Sequence, residues 1–97
     1  MPTYVSLVRW TEQGIKNVKD SPSRAADFSK LVESLGGKVR EILLTVGEYD
    51  IVTITEFPDD ARARAALLKM GSLGNVRTNT MEAYTIDDLN RIIAEFW

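Results

Sequence analysis

Five side chains define the chemistry open to this chain: the indole of Trp10, the amide of Gln13, the phenol of Tyr49, the carboxylate of Asp50 and the guanidinium of Arg77. An aromatic platform, a hydrogen-bonding amide and one charge of each sign suit a site that orients a small polar molecule at a cavity mouth. The five lie in three short glycine-bearing segments, Trp10–Gly14, Gly47–Asp50 and Gly74–Arg77. Each also has a structural reading. Gly47 can supply positive φ in a hairpin, Asp50 can accept backbone hydrogens, Arg77 can pair with Asp50, and Trp10 can simply pack. "SLGNVR" (Ser72–Arg77) can be a plain helix-to-strand loop. It precedes a strand and not a helix N-terminus, so it is no phosphate cradle.

The missing residue types narrow the chemistry further. The chain has no Cys and no His. That removes disulfides, thiolate nucleophiles, zinc-thiolate sites, His-held haem and the commonest general base. Catalysis would have to run on carboxylates, Tyr, Lys, Arg or a reactive substrate, and no cofactor or metal is implied. A net charge of −2 and a pI near 5.1 argue against nucleic acid as the partner, since that binding rests on phosphate neutralisation. No apolar run approaches the ~20 residues of a membrane span. The start, Met1-Pro2-Thr3-Tyr4, does not resemble an export signal, so a cytoplasmic location is expected.

The elements that must position the five side chains are legible from periodicity. The 97 residues suit one domain, with 44% hydrophobic and 27% charged residues as in ordinary globular chains. "TYVSLVRW" (Thr3–Trp10) alternates as a strand, and Thr11 to Asp20 reads as a long polar connector. Ser21-Pro22 marks a helix start. Phe28, Leu31, Val32 and Leu35 form its apolar face, and Gly36-Gly37 its end. Strands are expected at about 38–46 and 51–57, joined by the Gly47–Asp50 turn. A second helix runs from Pro58-Asp59-Asp60 to Gly71, with Ala63, Ala66, Leu67 and Met70 inward. "NVRTNTMEAYT" gives a fourth strand, and Thr85 with Asp88 caps a last helix striped by Leu89, Ile92, Ile93 and Phe96.

This order is α+β, a ferredoxin-like βαββαβ with an extra C-terminal helix and strands arranged 4-1-3-2. Val5, Leu7, Val52 and Ile54 suit the helix-covered face. The alternate set of Tyr4, Ser6, Val8, Trp10, Ile51, Thr53 and Thr55 is then left on an open face, too uncharged for a solvated one. A second subunit pairing there, or the last helix folding back, would cover it. The topology brings Trp10, the Gly47–Asp50 turn and Arg77 to one rim of the sheet.

"PTYVSLVRWTEQGIKNVKDSP", "TVGEYDIV" and "GSLGNVRT" together resemble the GYD family, small bacterial and archaeal proteins named for the motif matched here by Gly47, Tyr49 and Asp50. The resemblance runs from Pro2 to about Tyr84 and implies dimeric α/β-barrel association. It carries over no catalytic residue. A second similarity, confined to the turn, is to effector-binding domains of Lrp/AsnC-type regulators, whose helix-turn-helix this chain lacks. Three roles follow as expectations. The first is a homo-oligomeric module binding a small molecule through Trp10, Gln13, Tyr49, Asp50 and Arg77. The second is a cofactor-free barrel enzyme in which Tyr49 or Asp50 moves a proton on an activated aromatic substrate. The third is a protein-docking regulator.

Overall fold

The computed structural model describes residues 1–97. Four strands, β1 (Thr3–Trp10), β2 (Lys38–Leu44), β3 (Ile51–Glu56) and β4 (Val76–Ala83), form one antiparallel sheet in the order β2-β3-β1-β4. Four helices complete the chain: α1 (Glu12–Lys16), α2 (Ser21–Ser34), α3 (Asp60–Ser72) and α4 (Ile86–Phe96). The expected βαββαβ order and its added C-terminal helix are both present. No helix is long and apolar enough to cross a membrane.

Local signals explain most boundaries. Asp59 caps α3 by accepting the Arg62 N–H at 2.9 Å, and Thr85 with Asp88 forms a reciprocal capping box on α4. Pro22 lies in the first turn of α2, but the N-cap is Asp20, one residue before the expected Ser21. Thr11 to Asp20 is also more ordered than its polarity suggested. Thr11 Oγ1 accepts the Gly14 N–H at 3.1 Å and starts α1, and a 3-10 turn over Val18–Asp20 leads into α2.

The two sheet faces are the reverse of those expected. Tyr4, Ser6, Val8, Thr53 and Thr55 are the buried sheet residues, while Val5, Leu7, Val52 and Ile54 point to the side without helices. Tyr4 joins Phe28, Val32, Phe57, Ala63 and Ala66 in the core, its ring edge-on to Phe57 at 5.9 Å. Its hydroxyl donates to Asp60 at the start of α3. The alanines of α3 let that helix sit close to the sheet, so rings supplied by β1, α2 and the β3 end fill the layer. β2 follows the same inward phase by a register shift between Val39 and Glu41. It allows Val39 and Ile42, three residues apart, to pack against one core.

The opposite face carries Val5 and Leu7 of β1, Leu43 of β2, Val52 and Ile54 of β3 and Met81 of β4. Nothing in the chain covers it. α4 does not fold back onto it and makes no substantial packing contact with any element. Its Leu89, Ile93 and Phe96 are 46%, 47% and 73% exposed. The radius of gyration, 14.6 Å, exceeds the ~13 Å of a compact domain of this length because α4 projects.

Candidate functional site

The Gly47–Asp50 turn is tied to the end of β1 by its own polar groups. Asp50 N–H donates to the Val8 carbonyl at 2.9 Å, and Asp50 Oδ2 accepts the Trp10 N–H at 2.9 Å. Thr45 closes the hairpin, its N–H donating to Asp50 O at 2.9 Å and its hydroxyl to Tyr49 O at 2.7 Å. Gly47 has φ +137°, a conformation that side-chain-bearing residues rarely adopt. Arg9, which sequence reasoning did not single out, organises the outer side. Its guanidinium lies 4.7 Å from the Tyr49 ring centroid and 2.7 Å from Glu48 Oε1.

Arg77 is the register partner of Arg9 across β1–β4. It forms no ion pair, and Asp50 does not pair with it, since the carboxylate is turned to the Trp10 backbone. Tyr49, Arg9 and Arg77 therefore belong to the open-face end of the sheet. Trp10 faces the other way, into the layer between sheet and helices. Gln13 lies beyond it, donating to Leu73 O at 3.1 Å and Asn75 Oδ1 at 2.9 Å. Thr11 N–H donates to Asn75 O at 3.0 Å, and the chains approach so closely that a Cβ on Gly14 would sit 1.9 Å from that oxygen. The five candidates thus share one end of the molecule but divide between its two faces, with Asp50 as the brace between them.

Behind Trp10 lies a cavity of about 80 Å³ between the inward sheet face and helices α2 and α3. Val8, Phe28, Ile42 and Met70 supply apolar walls. Arg24 is its one charged lining residue, bonded to Asn17 O at 3.1 Å, Gly14 O at 3.4 Å and Ser21 Oγ at 3.0 Å. Thr53 also lines it, 6% exposed, with a hydroxyl that has no hydrogen-bond partner. Sequence reasoning missed Thr53 and Arg24. The available signal was the pair of threonines alternating with Val and Ile along β3. At the far end of β1, burial and the hydrogen bond to Asp60 push the Tyr4 hydroxyl up to about 12. No cluster of three or more Asp or Glu side chains is placed to hold a metal ion.

A four-stranded antiparallel sheet with two helices on one face defines a ferredoxin-like α+β protein. The chain belongs to the GYD family: the GYD domain model matches residues 4–93, from β1 into α4. A relative from Thermus thermophilus, named glutamine synthetase and cystathionine beta-lyase binding protein, is 32% identical over 90 residues, spanning 92% of this chain and 95% of that protein. A Thermus thermophilus crystal structure superposes with TM-score 0.56 at 23% identity, covering 88% of this chain and 95% of that one. A feast or famine regulatory protein from Mycobacterium tuberculosis, complexed with L-methionine, gives TM-score 0.57 at 15% identity. It covers 88% of this chain and 51% of that one. At these identities the structural likenesses speak for the fold alone.

Proposed function

We propose that this chain is a homo-oligomeric binding module that assembles with a second copy through its open sheet face and α4. The observation that carries this reading is the pairing of two partnerless apolar surfaces in one chain. Leu43 and Met81 are 47% and 46% exposed on the sheet, and α4 presents Leu89, Ile93 and Phe96. Four strands at ~4.8 Å spacing and about six paired residues at ~3.3 Å give the face a footprint of roughly 400 Å². Stable interfaces cover ~800 Å² per partner, so the sheet alone is small and α4 supplies further apolar area. A two-fold axis would let each copy give and receive the same surfaces. Light scattering should then report twice the 10.9 kDa chain mass, and Leu7→Glu should return the single-chain mass with the fold intact. A wild-type chain that stays at 10.9 kDa across micromolar concentrations refutes the reading.

The name of the Thermus relative favours a second element, docking of the assembled module on a metabolic enzyme. Purified glutamine synthetase from the same organism, titrated against immobilised protein, is the direct test. A flat response to it and to cystathionine beta-lyase removes enzyme docking and leaves self-association untouched. A small-molecule role for Trp10 and its neighbours draws support from the cavity. Catalysis is the weaker reading there, because Arg24 is the cavity's one charged lining residue and offers no general base.

A further inference from the structure

The two free edges of the sheet are guarded very differently. β2 has a register shift beside Arg40 and charges at Lys38, Arg40 and Glu41, devices that resist strand addition. β4, the other edge, pairs with β1 along its whole length and has no proline or bulge. Its centre, Thr78–Met81, is uncharged, and α4 makes no substantial contact with it. The ladder also fixes where its backbone groups point. Thr11 N–H donates to Asn75 O at 3.0 Å on the β1–β4 register, and Phe57 N–H to Pro2 O at 3.1 Å on the β1–β3 register. Opposed antiparallel residues exchange both bonds only at alternate positions. Asn79 and Met81 therefore bond β1, whereas Val76, Thr78, Thr80 and Glu82 turn N–H and C=O outward. We propose that this edge pairs antiparallel with β4 of a second copy, about a two-fold axis through Asn79.

That axis gives every outward group a partner. With Asn79 opposite itself, Thr78 faces the partner's Thr80 and Val76 faces the partner's Glu82, for roughly eight backbone hydrogen bonds. Opposed threonines add to the pairing, and an amide on the axis both donates and accepts. Arg77 falls opposite the partner's Met81, so no like charges meet. The strand is approachable, since a groove of about 180 Å³ separates it from α3, lined by Asp60, Arg64, Thr80 and Glu82. Head-to-tail pairing with β2 would meet the shift beside Arg40 and lose this register. About seven residues at ~3.3 Å each, and a depth of ~10 Å, give a footprint of roughly 230 Å². Stable interfaces cover ~800 Å² per partner, so this association is weak and needs high concentration. The edge lies beside the open face and not on it, which makes the pairing separate from the self-association proposed above.

Leu7→Glu, which removes open-face association, isolates the edge. Between about 10 µM and about 1 mM, its light-scattering mass should rise from 10.9 kDa toward twice that value. Wild type should rise from two chains toward four. Over the same range, amide exchange should slow severalfold at Thr78 and Thr80, with Asn79 and Met81 protected throughout. Thr78→Pro deletes an outward N–H without touching the β1 ladder, so it should hold the mass at its low-concentration value. Thr78→Val keeps that N–H and should associate as before. Three results would overturn the proposal. These are a constant mass in Leu7→Glu; undiminished association in Thr78→Pro with Asn79 and Met81 still protected; or slowing at Val39–Glu41 of β2 in place of Thr78 and Thr80. Failure of the open-face reading shows differently, as a wild-type mass of one chain at the lowest concentration.

Discussion

The carboxylate of Asp50 accepts the backbone N–H of Trp10 at 2.9 Å, joining the start of β3 to the last residue of β1. Together with the bond from Asp50 N–H to Val8 O, it locks the hairpin across the strand end. That strand end sends Arg9 toward the open face and Trp10 toward the cavity, so one aspartate fixes the register on which both surfaces depend.

Replacing Asp50 with Ala should therefore destabilise the fold by about 1.5–3 kcal/mol, the range for a hydrogen bond to a charged group. Asp50→Asn retains an acceptor and should recover much of that loss. Urea unfolding of the two variants beside wild type measures the difference. Equal midpoints for Asp50→Ala and wild type would remove the bracing role.

Thr53→Val should act in the opposite direction. It removes a buried hydroxyl that has no partner and preserves volume, so the unliganded protein should gain about 1 kcal/mol. In a domain of this length that is roughly 4–8 °C in Tm. A loss of stability would mean that the hydroxyl is satisfied in solution.

Alkaline stability should depend on Tyr4. Burial and the Asp60 hydrogen bond hold its hydroxyl up to about 12, against the usual 10, with Glu82 and Asp59 adding negative charge nearby. The protonated form is favoured in the folded state, so the stabilisation is complete below pH 10 and is lost as pH rises through 12. The slope attributable to one such group is no more than about 1.4 kcal/mol per pH unit. Chemical denaturation between pH 9 and 12 should show this decline in wild type and a flatter profile in Tyr4→Phe.

α4 offers a test that separates local from tertiary stability. Thr85→Ala breaks the capping box and should cost the helix about 1 kcal/mol, reducing far-ultraviolet helicity. Because α4 makes no substantial packing contact with its own chain, the unfolding of the sheet core should hardly move. Self-association should weaken in the same variant. An unchanged dimer would exclude α4 from the interface.

Strand order, the three long helices and the caps of α3 and α4 were legible in the sequence, because they depend on near-neighbour signals, whereas α1 inside the Thr11–Asp20 connector was not. Pro22 and Asp59 mark helix starts, Thr85 and Asp88 a capping box, and the two-residue alternation of Thr3–Trp10 a strand. The convergence of Trp10, the turn and Arg77 on one end also followed from topology alone. Alternation does not say which set faces inward. Val5, Leu7, Val52 and Ile54 are the more apolar set, and an account of one chain buries them. The helices instead cover Tyr4, Ser6, Val8 and Thr53, because rings from Phe28 and Phe57 complete that side and Tyr4 reaches Asp60 at the start of α3. Apolar character marked a surface without saying what covers it. The same inversion turned Trp10 away from Arg77 and gave Asp50 to a backbone amide. Local physics is enough to place the four strands and the helices α2 to α4 in order along the chain. The helical turn in the Thr11–Asp20 connector and the face that each side chain serves come from the fold, since they depend on how distant segments fill one space.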